Sequence, residues 1–168
     1  KLINQRLLAA SLLLLSMASC NSNENTKTSN KEMPVKQIKE ERISYTLDSL
    51  TMNGVVAYDA ASEEKRPVIL IVHEWWGLND YAITRAKQLA SLGYLAMAID
   101  MYGNGQQADN PELAGKLATP FYQQPTMAKA RFDAALAKVK TPAQADTNQI
   151  AAIGYCFGGA QVLNMARL

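Results

Sequence analysis

The sequence is poor in histidine and cysteine. It contains one histidine, His73, and two cysteines, Cys20 and Cys156. A disulfide between them is conceivable in an oxidising compartment, but each cysteine has a better explanation of its own. A thiol redox protein is disfavoured, because no second cysteine lies near Cys156 in the sequence to resolve a disulfide.

The sequence also lacks an excess of charge and a long apolar run. Its 17 basic and 15 acidic residues give a net charge of +2, so electrostatics provides no argument for nucleic acid as a partner. The apolar run Leu7–Met17 is too short for a standard membrane-spanning helix, which needs about 20 residues. The composition is otherwise 48% hydrophobic and 19% charged, which is ordinary for one globular domain.

Residues 1–20 have the pattern of a secretory signal: a positively charged start, the short apolar run, and small residues before Cys20. The ending Met17-Ala18-Ser19-Cys20 resembles a bacterial lipoprotein box, although Met17 stands where Leu is usual. The resemblance implies cleavage before Cys20 and lipidation of Cys20. The alternative is a plain signal peptide with an incidental cysteine.

Residues 21–41 are rich in Asn, Ser, Thr, Lys and Glu and bury too little apolar surface to fold. We therefore predict a flexible tether at 21–41 and a folded domain at 42–168. Acyl chains contribute about 0.8 kcal/mol of membrane affinity per buried CH₂, so two or more would anchor the protein to a membrane of the bacterial cell envelope.

The domain alternates strand and helix patterns. An opening antiparallel pair is predicted from Ile43–Leu47 and Val55–Tyr58, with the turn at Asp48-Ser49 or at Asn53-Gly54. Continuous apolar runs follow, as expected for strands covered on both faces. The predicted later strands are Val68–Val72, Tyr94–Ile99 and Ile150–Tyr155.

Helices are predicted between and after these strands. Asn79 or Asp80 caps the first, Asn110-Pro111 starts the second, Thr126 caps the third, and the fourth begins at Gly158. This alternation predicts a mostly parallel α/β sheet with helices on both faces. The chemistry of such a sheet lies at the carboxyl ends of its strands.

One motif at such a strand end points to catalysis. The segment fits G-x-C-x-G between a strand and a helix, the thiol form of a nucleophile elbow: Gly154-Tyr155-Cys156-Phe157-Gly158. The glycines make room for the tight turn, and the helix N-terminus favours the reactive thiolate. The N–H of Phe157 is a candidate oxyanion-hole donor. The alternative is a buried structural cysteine.

Two further segments support a family resemblance: Val72-His73-Glu74-Trp75-Trp76-Gly77-Leu78-Asn79 and Asp100-Met101-Tyr102-Gly103. With the elbow, they resemble signatures of the dienelactone hydrolase family. The resemblance implies an α/β-hydrolase fold, a substrate that is a small-molecule ester or lactone, and no metal or organic cofactor. It assigns Glu74 to generating the Cys156 thiolate and the Trp75 N–H to the oxyanion hole.

Several alternatives to functional roles stay open at this point. Glu74 is otherwise a surface carboxylate, Trp76 is core packing or pocket wall, and Asp100 is favoured as a cap of its own loop.

The resemblance also implies an Asp and a His after the elbow. Residues 157–168 contain neither, and His73 precedes the elbow on a different strand. Because the chain starts at Lys1 and stops at Leu168 within a helix pattern, we expect a C-terminally truncated hydrolase domain. The alternative function is a non-catalytic, surface-tethered binding lipoprotein that retains the fold.

Overall fold

The computed structural model describes residues 35–168, so Cys20 and the predicted signal lie outside the described residues. The strands are β1 (Ile38–Leu47), β2 (Leu50–Asp59), β3 (Arg66–Val72), β4 (Leu95–Ile99) and β5 (Ala145–Gly154). The helices are α1 (Asp80–Ser91), α2 (Pro111–Gln123), α3 (Pro125–Val139) and α4 (Phe157–Met165). None of these helices is both long and apolar enough to cross a membrane.

The five strands form one mixed sheet in the order β1-β2-β4-β3-β5. β3 is parallel to both β4 and β5, whereas β2 is antiparallel to β1 and β4. The predicted α/β sheet is confirmed, with a parallel part of three strands and an antiparallel part at one side. The carboxyl ends of β3, β4 and β5 therefore open on one edge.

Helices cover both faces of this sheet, and a hydrophobic core lies on each face. The apolar side chains of β3 point alternately into these two cores. Val68, Leu70 and Val72 join the core under α2, α3 and α4, which also contains Phe121 and Phe157. Ile69 and Ile71 join the core under α1, which supplies small and branched side chains: Ala82, Ile83, Ala86 and Ala90. A continuous apolar strand is thus buried on both sides, as its sequence predicts.

Some predicted boundaries differ from the structure. β1 begins at Ile38, so residues 38–41 belong to the sheet and not to the predicted tether. The polar composition of this stretch is compatible with a strand because β1 is an edge strand with several exposed side chains. α3 begins at Pro125, with Gln124 and not Thr126 at the cap position, because proline fits the first helical turn.

Other local predictions are confirmed. The β1–β2 turn lies at Asp48-Ser49, and Asp48 has a positive φ of 52°. The side chain of Asn79 caps α1 by accepting from the Tyr81 N–H, and that of Asn110 caps α2 by accepting from the Leu113 N–H.

The buried imidazole of His73 forms hydrogen bonds with both the loop after β3 and the loop after β4. The Nδ1–H of His73 donates to the Glu74 carbonyl, and its Nε2 accepts from the backbone N–H of Met101. Its ring stacks on Phe157 at 5.8 Å and meets Tyr102 edge-on at 4.8 Å. Because a carbonyl only accepts and an N–H only donates, these bonds require the neutral Nδ1–H tautomer.

Burial lowers the pKa of His73 to about 4, although the hydrogen bond to the Glu74 carbonyl and the charge of Asp100 both raise it. The ordinary value is 6.5, so between pH 6.5 and 4 the unfolded chain binds a proton that the folded protein excludes. The stabilisation of the folded protein by the neutral imidazole is therefore complete above pH 6.5 and is lost progressively as the pH falls to about 4.

We predict a histidine-dependent loss of stability in this pH range. We measure the free energy of unfolding by urea denaturation as the pH is lowered. Its decrease should be steeper in the parent protein than in His73→Asn, by about 1.4 kcal/mol per pH unit, because asparagine cannot titrate. The difference between the two proteins removes the contribution of carboxylates that titrate in both. Parallel pH profiles would show that His73 is not held neutral by the fold.

Candidate active site

The backbone of Cys156 has the strained geometry of a nucleophile elbow. Its φ of 51° and ψ of −112° lie outside the regions that most residues adopt. Among the described residues the thiol is free and exposed, unlike the buried structural cysteine of the alternative interpretation. Cys156 also stands at the N-cap position of α4, where the helix dipole favours a negative charge.

Gly154 and Gly158 are required by the close approach of α4 to the sheet. A Cβ on Gly154 would lie 2.2 Å from the carbonyl carbon and oxygen of Gly158. A Cβ on Gly158 would lie 2.3 Å from the carbonyl oxygen of Val72 and 2.6 Å from that of His73. All of these neighbours are backbone atoms, so neither position has room for a side chain.

The sheet register brings the Glu74 loop and the elbow together. Val72 and Gly154 are paired residues at the ends of the parallel strands β3 and β5. The N–H of Tyr155 continues this contact by donating to the Val72 carbonyl at 3.2 Å. Glu74 and Cys156 therefore leave neighbouring strands at the same level and the same edge of the sheet. Glu74 is partly buried, and its own carbonyl accepts from His73 and from the Gly77 N–H.

The backbone of Trp75 is fixed by a hydrogen bond to its carbonyl oxygen. The hydroxyl of Tyr102 donates to this oxygen at 2.8 Å, and the Trp75 ring meets the Trp76 ring edge-on at 5.1 Å. Within residues 35–168, the backbone N–H groups of Trp75 and Phe157 make no hydrogen bond. Two donors are thus available on the loops that flank the thiol.

Asp100 organises the third loop at this edge. Its carboxylate is buried and accepts from the backbone N–H groups of Asn53 at 3.0 Å, Gly103 at 2.8 Å and Gly105 at 2.8 Å. The prediction that Asp100 caps its own loop is confirmed. Arg131 of α3 donates to the Met101 and Tyr102 carbonyls, which fixes the same loop from the other side.

Two tyrosines that pack against Phe157, next to Cys156, were not predicted as site residues. Burial is the main cause that raises the pKa of both Tyr102 and Tyr122. The charge of Tyr122 is the next cause for Tyr102, and a negative charge on Cys156 would raise both further. Tyr102 follows a buried strand, which was an available signal. Tyr122 lies near the end of α2, and only tertiary packing brings it to the elbow.

Among residues 35–168, no group of three or more His, Cys, Asp or Glu side chains is arranged to bind a metal ion. The loops at the Cys156 edge carry a thiol, the carboxylate residue Glu74 on the adjoining loop, two backbone N–H groups without a hydrogen bond among the described residues, and aromatic rings. This set suits nucleophilic attack on an acyl carbon and stabilisation of an oxyanion.

Comparison with known proteins identifies curated relatives over about two thirds of this chain. A protein of Aquifex aeolicus named "Putative carboxymethylenebutenolidase" is 35% identical over 121 residues, which are 68% of this chain and 52% of that protein. Protein usf of Aquifex pyrophilus is 32% identical over 114 residues, 64% of this chain and 48% of that protein. The chain thus spans about half the length of these curated relatives.

Solved structures show the same fold. A dienelactone hydrolase-like promiscuous phosphotriesterase from metagenomic libraries superposes with a TM-score of 0.73 at 34% identity, over 77% of this chain and 54% of that one. A cold-adapted esterase from an Arctic intertidal metagenomic library has a TM-score of 0.62 at 21% identity, over 81% of this chain and 58% of that one, and shows the fold alone.

A family comparison covers most of the chain, since residues 52–168 match the family described as "Dienelactone hydrolase family". The predicted family and α/β-hydrolase fold are therefore confirmed. The chain belongs to the dienelactone hydrolase family.

Proposed function

We propose that the protein hydrolyses ester or lactone bonds with Cys156 as the nucleophile. The observation that carries the proposal is the exposed thiol on a positive-φ residue, between two glycines that admit no side chain and at the start of α4. This geometry presents the sulfur to a substrate from a tight turn between a strand and a helix. A structural cysteine needs none of these features.

In the proposed reaction, the thiolate attacks the carbonyl carbon and forms a carbon–sulfur bond. The carbonyl oxygen becomes an oxyanion, which the N–H groups of Trp75 and Phe157 stabilise. The alkoxide then leaves with a proton, and water hydrolyses the resulting thioester to release the acid and the thiol. No cofactor is needed for these steps.

Glu74 is proposed to accept the thiol proton. It lies on the loop after β3, beside the strand that leads to Cys156, and it is partly buried. The family resemblance further implies an Asp and a His that follow the elbow. We propose that sequence beyond Leu168 supplies them, so activity tests use the protein at the length of its relatives.

We predict that Cys156→Ala lowers kcat/KM for p-nitrophenyl acetate by at least about 10³-fold, because the attacking atom is gone. Hydrolysis is followed by the absorbance of nitrophenolate. Cys20→Ser serves as the matched control and should retain the activity of the parent protein. Hydrolysis that survives Cys156→Ala would favour the alternative of a non-catalytic binding lipoprotein with an adventitious activity.

Glu74→Gln should lower kcat/KM near neutral pH by roughly 10²- to 10⁴-fold, because a positioned proton acceptor is removed. Activity should recover as the pH rises, since the thiol then ionises without help. Glu64→Gln, an exposed substitution before β3 at the opposite edge of the sheet, is the control and should leave the pH profile unchanged. A pH-independent loss in Glu74→Gln would argue against proton transfer by Glu74.

We further propose that the mature protein is held to a membrane of the bacterial cell envelope by acyl chains on Cys20. The support is the lipoprotein-box pattern in residues 17–20, which lie outside the described structure. Mass spectrometry of membrane fractions should find an acylated N-terminal Cys20, and Cys20→Ser should release the protein from the membrane. A soluble mature protein with another N-terminus would exclude this anchor.

A further inference from the structure

A half-exposed aromatic ring lies beside the nucleophile. Tyr122, near the C-terminal end of α2, is 53% exposed, and its ring meets Phe157 edge-to-face with the ring centroids 5.7 Å apart. Phe157 is buried and directly follows Cys156 in the chain. One side of the Tyr122 ring is therefore packed against the elbow, while solvent reaches the rest.

The end of α2 is firmly packed, so this ring is not on a loose loop. Its neighbour Phe121 is buried and contacts both Tyr102 and Phe157, with ring centroids 5.6 Å apart in each pair. The backbone N–H of Gln124 closes the helix by donating to the Pro120 carbonyl at 2.9 Å. Phe121 thus anchors the helix end inward, and Tyr122 faces outward over the elbow.

The Tyr122 hydroxyl is neutral at physiological pH. Burial of part of the side chain raises its pKa above 10.0, and a negative charge on Cys156 raises it further. A neutral aromatic ring in this position offers an apolar packing surface and not a charge for an anionic substrate.

We propose that Tyr122 is a specificity-determining residue for the hydrolysis proposed above, and that it selects esters with an aromatic acyl group. The acyl carbon bonds to the sulfur of Cys156, so the acyl substituents lie closest to the residues around that sulfur. A phenyl group on the acyl side therefore packs against the exposed part of the Tyr122 ring. This inference rests on the proposed function for its substrate class.

The first test compares two esters with the same leaving group, p-nitrophenyl phenylacetate and p-nitrophenyl acetate. In Tyr122→Ala, the ratio of kcat/KM for phenylacetate over acetate should fall roughly three- to tenfold, the value of one aromatic contact. Tyr122→Phe keeps the ring and should keep the ratio. Tyr58→Ala, at the opposite edge of the sheet, is the control. An unchanged ratio in Tyr122→Ala, or an equal loss on both esters, would overturn the proposal.

The second test does not depend on ester hydrolysis. Iodoacetamide and N-benzyliodoacetamide both alkylate the Cys156 thiolate, with formation of a carbon–sulfur bond and release of iodide. Peptide mass spectrometry follows the rate at Cys156. The benzyl-over-unsubstituted rate ratio should fall roughly three- to tenfold in Tyr122→Ala and stay unchanged in Tyr122→Phe. If the protein hydrolyses no ester, the proposed function fails, and the alkylation ratio alone tests the role of Tyr122. An unchanged alkylation ratio in Tyr122→Ala would overturn that role.

Discussion

The close packing of α4 against the ends of β3 and β5 is the constraint on which the site depends. Gly154 and Gly158 approach backbone atoms so closely that a methyl group at either position would overlap them. This contact fixes the turn between β5 and α4, and the turn forces Cys156 into its positive-φ conformation. The strain of one residue is thus maintained by the packing of two whole elements.

Internal hydrogen bonds extend this rigidity to the other loops of the edge. His73 joins the Glu74 carbonyl to the Met101 N–H, and Asp100 holds the backbone of its own loop. Tyr102, positioned by that loop, in turn binds the Trp75 carbonyl. The loops after β3 and β4 are therefore connected through buried polar groups, which suits a site whose donors must be in place before the substrate arrives.

The fold and the tight turn at Cys156 could be predicted from the sequence because their signals are local. Apolar runs define β3 and β4, Asn79 and Asn110 cap helices, and the elbow glycines flank Cys156 directly. The start of β1 was missed because an edge strand tolerates a polar sequence that resembles a tether. Tyr122 was not predicted because only the tertiary packing of α2 brings its side chain to the elbow. The role of Glu74 stays a prediction, supported by the β3–β5 register.

The central claim is covalent catalysis by Cys156, and a trapped intermediate tests it most directly. The protein at its relatives' length is mixed with a p-nitrophenyl ester, quenched in acid during turnover, and digested for peptide mass spectrometry. The account predicts an acyl group, as a thioester, on the peptide that contains Cys156, with its amount decaying once the ester is exhausted. Sustained ester hydrolysis with no acyl group on Cys156, or with the acyl group on another residue, would contradict the account.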